Sequence, residues 1–327
     1  ISDPPISSSC PHSRAHANPH STAHLAALTE ETHRLISLSL ADGSRVAYQR
    51  AVDAFQNFRL SHSLKSSWPA TSQDVMTFVA HLSLSGRAAS TISVHVAAIS
   101  CLHKMHNWDD PTQHFLVKKM QEGCRRQGKS RDIRRPITWD ILAKITSNLD
   151  SACASLYECI LFRSAFLLAF FGLLRVGELT VTARYGNTSK VIAIGDIQIA
   201  HNNPGALMLR IRYSKNDQYG SAVMLRINGN GIENMCPVQA MGKYLVRRPA
   251  AKGPLFCHAN GAPLTRYQFG AVLRKVLHHA GVPPLQYGTH SFRIGAATTA
   301  ALNGLSPSKI QTMGRWRSDA FKLYIRK

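Results

Sequence analysis

Four residues near the C-terminal half of this 327-residue chain have types suited to handling an oxyanion: Arg175, His290, Arg293 and Tyr324. Two guanidiniums stay charged at any working pH and grip anionic oxygens with paired hydrogen bonds. Imidazole gains and loses a proton near neutrality. A phenol titrates near pH 10 and is a weak nucleophile until a base takes its proton. Each piece alone has an ordinary explanation. Arg175, in Gly172-Leu173-Leu174-Arg175-Val176-Gly177-Glu178-Leu179, follows an apolar stretch and can pair with Glu178. His290 and Arg293, in Thr289-His290-Ser291-Phe292-Arg293, share one helical face at i, i+3 and can be a surface pair. Tyr324 can be a half-buried residue of an amphipathic helix spanning 318–326.

The elements around these residues divide the chain in two. Residues 1–24 are rich in Ser, His, Pro and Ala and read as a disordered tail. From Leu25 apolar residues return at helical spacing: Ala51, Ala54, Phe55 and Phe58 on one stripe, then helices over 72–84, with a Ser cap, 90–105 and 116–124. Residues 25–127 therefore read as a helical domain. A basic linker, 128–135, ends at Pro136. The stretch 118–135 holds eight Lys and Arg against two acids and is either a DNA-lying segment or a plain exposed connector. Residues 136–327 form the second domain. Thr138 caps a helix through Leu149, and a buried helix covers 153–171. Strand-like alternation follows over 191–199, 206–213 and 221–227, with a hairpin turn at 215–220, and helices resume over 265–280, 290–303, 306–313 and 318–326. The fold class is mainly α with a small antiparallel sheet (α+β).

Charge points to the partner. Lys and Arg number 39 against 18 Asp and Glu, a formal net charge of +21, which draws polyanions and above all nucleic acid. No apolar run is long enough to span a membrane. Seven cysteines, an odd number without zinc-ligand spacing, read as free thiols. Five of the sixteen histidines lie in the first 33 residues without ligand spacing, so no metal site is expected. The chain opens on Ile1 without a signal-peptide pattern and reads as a piece of a longer product.

The order Arg175, Lys215 in the hairpin, His290 with Arg293, Trp316, then Tyr324 resembles the tyrosine recombinase signature, the family of the phage integrases, Xer proteins, Cre and Flp. The resemblance covers nearly the whole chain, with the first domain similar to the SAM-like core-binding domain. The stretch Gly314-Arg315-Trp316 to Tyr324-Ile325-Arg326 looks like recombinases of eukaryotic mobile elements, the DIRS-type retrotransposons and Cryptons. This resemblance implies a C-shaped clamp on double-stranded DNA and a homotetramer on two duplexes. It also implies a nuclear location and cleavage through a 3′-phosphotyrosine on Tyr324. Arg175 and Arg293 would clamp the phosphate, His290 would be the base, Lys215 the acid, and Glu178 would orient its neighbours. No nucleotide cofactor or metal is implied, because the phosphotyrosine keeps the bond energy and the arginines supply the charge. Candidate DNA-binding residues are Lys118, Lys119, Arg125, Arg126, Lys129, Arg131, Arg134 and Arg135.

Three departures leave alternatives open. Trp316 precedes Tyr324 by eight residues, one fewer than is usual in the family, so Arg315 is the rival for that slot. Only three residues follow Tyr324, so either the chain is cut short or subunits communicate without the usual C-terminal segment. Lys190, before an earlier strand, competes with Lys215. A catalytically silent DNA-binding descendant, a type IB topoisomerase and a basic scaffold protein are the competing functions.

Overall fold

The computed structural model describes residues 19–128, 133–183, 186–200, 205–213, 222–249 and 252–326, with the side chains of 19–23 left aside. The chain divides into two compact units, Ile1–Arg131 and Asp132–Lys327.

The first unit is helical. Its elements are α1 (Pro19–Leu38), α2 (Asp42–Ser61), α3 (Ser72–Leu84), α4 (Ala89–Met105) and α5 (Phe115–Gln127). The apolar stripe read from the sequence is the inner face of α2: Ala51, Phe55 and Phe58 are buried, and Phe55 and Phe58 pack with Val75, Phe78, Ile92, Val96 and Val117 in one core. Helix α1 begins at Pro19, inside the stretch expected to be disordered. Proline costs nothing at a helix start, and the alanines that follow are strong helix formers. Thr71, not Ser72, caps α3: its hydroxyl accepts from the Asp74 amide, and Asp74 accepts in return from the Thr71 amide at 2.9 Å. Arg59 is fully buried between Phe55 and Trp68, and its fork donates to the Ser66 and Ser67 carbonyls and to Gln56.

The second unit is mixed. It runs α6 (Trp139–Ser147), α7 (Leu149–Ala152), α8 (Leu156–Phe171), α9 (Val176–Leu179), β1 (Ile197–Ala200), β2 (Ala206–Ile211), β3 (Val223–Asn228), α10 (Pro237–Arg247), α11 (Arg266–His279), α12 (Ser291–Leu302) and α13 (Pro307–Gly314). Helix α8 is the axis of the core. It is apolar on nearly every face because it has neighbours on nearly every face. Phe166 meets Phe269 of α11 and Phe292 of α12 at 4.8 and 5.2 Å between ring centres, and Ser164 donates to the Ala240 carbonyl of α10. The sheet is antiparallel in the order β1-β2-β3, with Ile197 opposite Leu209 and Leu207 opposite Ile227.

Several expected elements change form. The helix expected over 138–149 breaks after Asn148, and the one expected from 153 starts at Leu156 behind a Ser155 cap. Of the strand expected over 191–199, only the stretch from Ile197 pairs as a strand, while Ala193 makes an isolated antiparallel bridge to Pro254. The Asp196 carboxylate accepts from the Ala193 amide at 3.0 Å and curls 194–196 into a 3-10 turn instead. Helix α10 is an addition to the expected elements. Its signal is present in Pro237 at the start and in Val238, Met241 and Leu245 at helical spacing. The last element, Asp319–Tyr324, is a 3-10 turn rather than an amphipathic α-helix. The hairpin turn 215–220 lies outside the described residues.

Candidate active site

The site is built where α8 ends. Gly172 closes the helix, and a Cβ there would lie 2.9 Å from the Leu168 carbonyl oxygen. Leu173 then takes a left-handed φ of 45°, a conformation that costs a branched side chain energy and marks a local constraint. Its carbonyl accepts from two arginines distant in the chain, Arg293 through Nη1 and Arg315 through Nη2, the latter at 3.2 Å.

Arg175 and Glu178 lock the next turn. The Arg175 amide donates to Glu178 Oε2 at 2.9 Å, and its Nη1 lies 3.4 Å from Oε1. The ordinary salt bridge suggested by the sequence is therefore present. It is also more than that, because Arg315 Nη2 donates to the same Oε2 at 3.1 Å. One carboxylate, 4% exposed, thus holds two guanidiniums, one from its own turn and one from 137 residues further along the chain.

Helix α12 brings the second half. Gly295 lets it lie directly on the chain at Ile137, since a Cβ there would stand 1.8 Å from the Ile137 carbonyl oxygen. The Ile137 amide donates to the Ser291 carbonyl at 3.0 Å. Arg293 is completely buried. Its two terminal nitrogens donate to the Leu173 and Gly314 carbonyls. Its guanidinium carbon stands 4.1 Å from the Trp316 ring centre and 5.6 Å from that of Tyr324. Burial, and then the neighbouring Arg175 and Arg315 charges, push the Arg293 pKa below its ordinary value, while Glu178 and Tyr324 oppose the fall. Arg315 is lowered by burial first, with Glu178 opposing. Guanidinium is basic enough to remain charged through such shifts.

Residues 314–316 form a second hinge of the site. Arg315 closes α13 in a left-handed conformation, φ 56° and ψ 40°. Gly314 is required beside it: an added Cβ would fall 1.6 Å from an atom of the Trp316 ring. Trp316 is buried, and its ring lies 4.9 Å from that of Tyr324. The imidazole of His290, at the N-cap of α12, also stands 4.9 Å from the Tyr324 ring. Tyr324 itself is half-buried at the end of the 3-10 turn.

The structure thus brings Arg175, Glu178, His290, Arg293, Arg315, Trp316 and Tyr324 together. Arg315 and Trp316, weighed as rivals for one slot, are both in the cluster: the first by its pairing to Glu178, the second by its ring against Arg293 and Tyr324. Lys215 lies outside the described residues, between β2 and β3. Lys118, Lys119, Arg125 and Arg126 are exposed on α5, with Lys119 paired to Glu122 at 3.0 Å. Arg134 and Arg135 are exposed in the second unit, and Lys129 and Arg131 lie outside the described residues. Sequence reasoning missed the Leu173 and Gly314 carbonyls as anchors. The positions, between a helix-ending Gly172 and Arg175 and just before Arg315, offered only a hint.

Chemically the cluster has the makings of an anion receptor. Three guanidiniums face one carboxylate. Buried donors at Arg293 Nε, Arg315 Nε and Nη1 and Trp316 Nε1 have no protein partner. Unpaired buried donors and excess like charge are both costly in a dry site and are relieved by a bound oxyanion. Among the described residues no group of three His, Cys, Asp or Glu is placed to hold a metal ion.

The fold is that of the DNA integrases and recombinases. A lambda integrase dimer bound to a COC′ core site matches with a TM-score of 0.60 and 16% identity, over 95% of this chain and 82% of that one. The Tn1549 transposon integrase with circular intermediate DNA matches at 0.60 and 14%, over 92% and 93%. XerH on a palindromic difH substrate matches at 0.59 and 16%, over 84% and 72%. Residues 33–109 match the phage integrase N-terminal SAM-like domain. An integrase/recombinase XerD homolog of Selenomonas ruminantium is 23% identical over 307 residues, 89% of this chain and 83% of that protein. The chain is thus similar in fold to solved integrases and recombinases and in sequence to a XerD homolog, with a phage integrase SAM-like domain matched over residues 33–109.

Proposed function

We propose that this protein is a site-specific DNA recombinase that cuts and rejoins strands through a covalent bond between Tyr324 and a 3′ phosphate. One observation carries the reading: the Tyr324 ring stands 4.9 Å from both His290 and Trp316, beside the buried guanidinium of Arg293.

The chemistry follows from the residues. A phosphodiester repels nucleophiles, and attack builds further charge on its non-bridging oxygens. Arg175 and Arg293, with Arg315 beside them, stabilise that charge without reorganising, since their positions are already fixed by Glu178 and two carbonyls. His290 takes the phenolic proton as the Tyr324 oxygen bonds to phosphorus. The bond from phosphorus to the 5′ oxygen breaks, and Lys215 supplies that oxygen with a proton. Trp316 supports the phenol and places an N–H donor in the site. Attack by the 5′ hydroxyl of another strand reverses every step. Bond energy is conserved, so the scheme calls for no nucleotide cofactor, and the arginines supply the charge stabilisation a metal would otherwise give.

The same reading extends to the partners. Double-stranded DNA is the substrate, and exchange between two duplexes calls for four protomers. The ending Gly314-Arg315-Trp316 to Arg326 supports service to a eukaryotic mobile element of the DIRS or Crypton kind, for integration or excision, in the nucleus.

A nicked suicide duplex carrying candidate element ends tests the chemistry. The expected result is a denaturant-stable protein–DNA adduct that Tyr324→Phe abolishes while duplex binding is kept. Binding with no adduct supports a silent descendant instead. Relaxation of plasmids without a target site, and without strand exchange, supports a topoisomerase.

A further inference from the structure

The 3-10 turn that carries Tyr324 is short, and 3-10 hydrogen bonds are weaker than those of an α-helix. Something outside the turn must hold it to the tolerance that in-line attack demands. At its near end Phe321, 2% exposed, pegs it into the core beside Trp316. At its far end the chain crosses α12 at Thr298. The Thr298 hydroxyl donates to the Tyr324 carbonyl at 3.2 Å, and it accepts from the Arg326 amide at 3.1 Å. Thr298 is 4% exposed.

A threonine inside a helix ordinarily turns its hydroxyl back to the carbonyl four residues earlier. Thr77 and Thr312 do so in this chain, to Gln73 and Ser308. Thr298 instead brackets the nucleophile, with one bond on each side of the Tyr324 peptide. Its branched side chain has few rotamers, so the direction of the hydroxyl is set by the helix backbone. That helix also carries His290 at its start and Arg293 one turn in.

We propose that Thr298 is a positioning residue: its hydroxyl latches the backbone around Tyr324 to α12, so that the phenol is held against the His290 and Arg293 of its own chain. The proposal rests on the recombinase reading of Tyr324. Val at 298 keeps the shape and removes both bonds. Ser keeps the oxygen.

The test uses the full chain and the suicide duplex. Adduct formation by the unaltered protein, absent in Tyr324→Phe, comes first; without it the reading of the site falls and not the latch. With it, Thr298→Val is expected to slow single-turnover adduct formation on the order of 10–100-fold, as small displacements of a reacting group do. Duplex affinity should stay within about twofold, because the latch touches backbone and not DNA. Thr298→Ser should restore most of the rate. Amide exchange at Arg326 should quicken in Thr298→Val, while protection along α8 and α12 holds. An unchanged adduct rate despite faster Arg326 exchange overturns the latch. So does a general loss of protection in which Thr298→Ser is as slow as Thr298→Val, since that assigns Thr298 to packing alone.

Discussion

Glu178 is the smallest unit on which the site depends. Its two oxygens serve the Arg175 amide, the Arg175 guanidinium and Arg315 at once, which fixes the heads of two cations with a single anion. Arg293 is fixed differently, by the Leu173 and Gly314 carbonyls and by the Trp316 face. That arrangement needs a planar fork. A lysine has one nitrogen and cannot reach two carbonyls while stacking on indole. Arg293→Lys is therefore expected to leave a buried carbonyl unpaired, at a cost of about 1–3 kcal/mol in denaturant unfolding. It should also lower the adduct-forming rate by about 10²–10³ through the lost oxyanion donors. A variant that forms adduct at the unaltered rate removes Arg293 from the chemistry.

At the scale of elements, the first unit is held by polar joints as well as by its aromatic core. Asp110 ties α4 to the turn at Pro111–Gln113. It accepts from the Ser100 and Thr112 hydroxyls, each at 2.6 Å, and from the Thr112 amide at 3.0 Å. Burial by itself would raise its pKa, but the hydrogen bonds from Ser100, Thr112 and Gln113 outweigh it and hold the carboxyl well below the usual range. A carboxylate depressed on folding stabilises the fold above its unfolded pKa. That contribution fades as pH falls toward the folded value. Asp110→Asn should accordingly destabilise the first unit by about 1–3 kcal/mol at pH 7. The gap between the two proteins should narrow as pH drops below about 4, where the unfolded carboxyl takes up its proton. Denaturant titrations of the full chain at several pH values, followed by amide exchange in α4, measure it. A gap independent of pH would show that the charge contributes nothing.

For the whole molecule the governing quantity is charge. On the proposed function, a formal net charge of +21 is expected to make affinity for DNA a function of salt before it is a function of sequence. On α5, Lys118, Arg125 and Arg126 are exposed on one basic helix. If each meets a phosphate, replacing all three by Ala should reduce the slope of log affinity against log salt by about 0.9 for every phosphate no longer neutralised. Fluorescence anisotropy on a short duplex, at four or five salt concentrations, reads the slope directly. An unaltered slope takes α5 out of the DNA interface.

Residue chemistry and helical spacing are legible in the sequence by itself. Arg175, His290, Arg293 and Tyr324 stand out there because side-chain type and order along the chain are written in it. The helices around Phe55 and Phe78 stand out because burial on one face leaves a periodic trace, and the one around Phe166 because it is apolar nearly throughout. Other parts are decided only by the tertiary structure. Arg293 is anchored by Leu173, 120 residues away, through a carbonyl that every residue possesses and no sequence distinguishes. The same holds for the Gly314 carbonyl and for the two backbone groups bracketed by Thr298. The sharing of Glu178 between Arg175 and Arg315 likewise depends on two hinges with left-handed residues, Leu173 and Arg315, meeting in space. Side chains announce what chemistry is on offer, while the backbone atoms that aim them acquire a role only when the chain closes on itself.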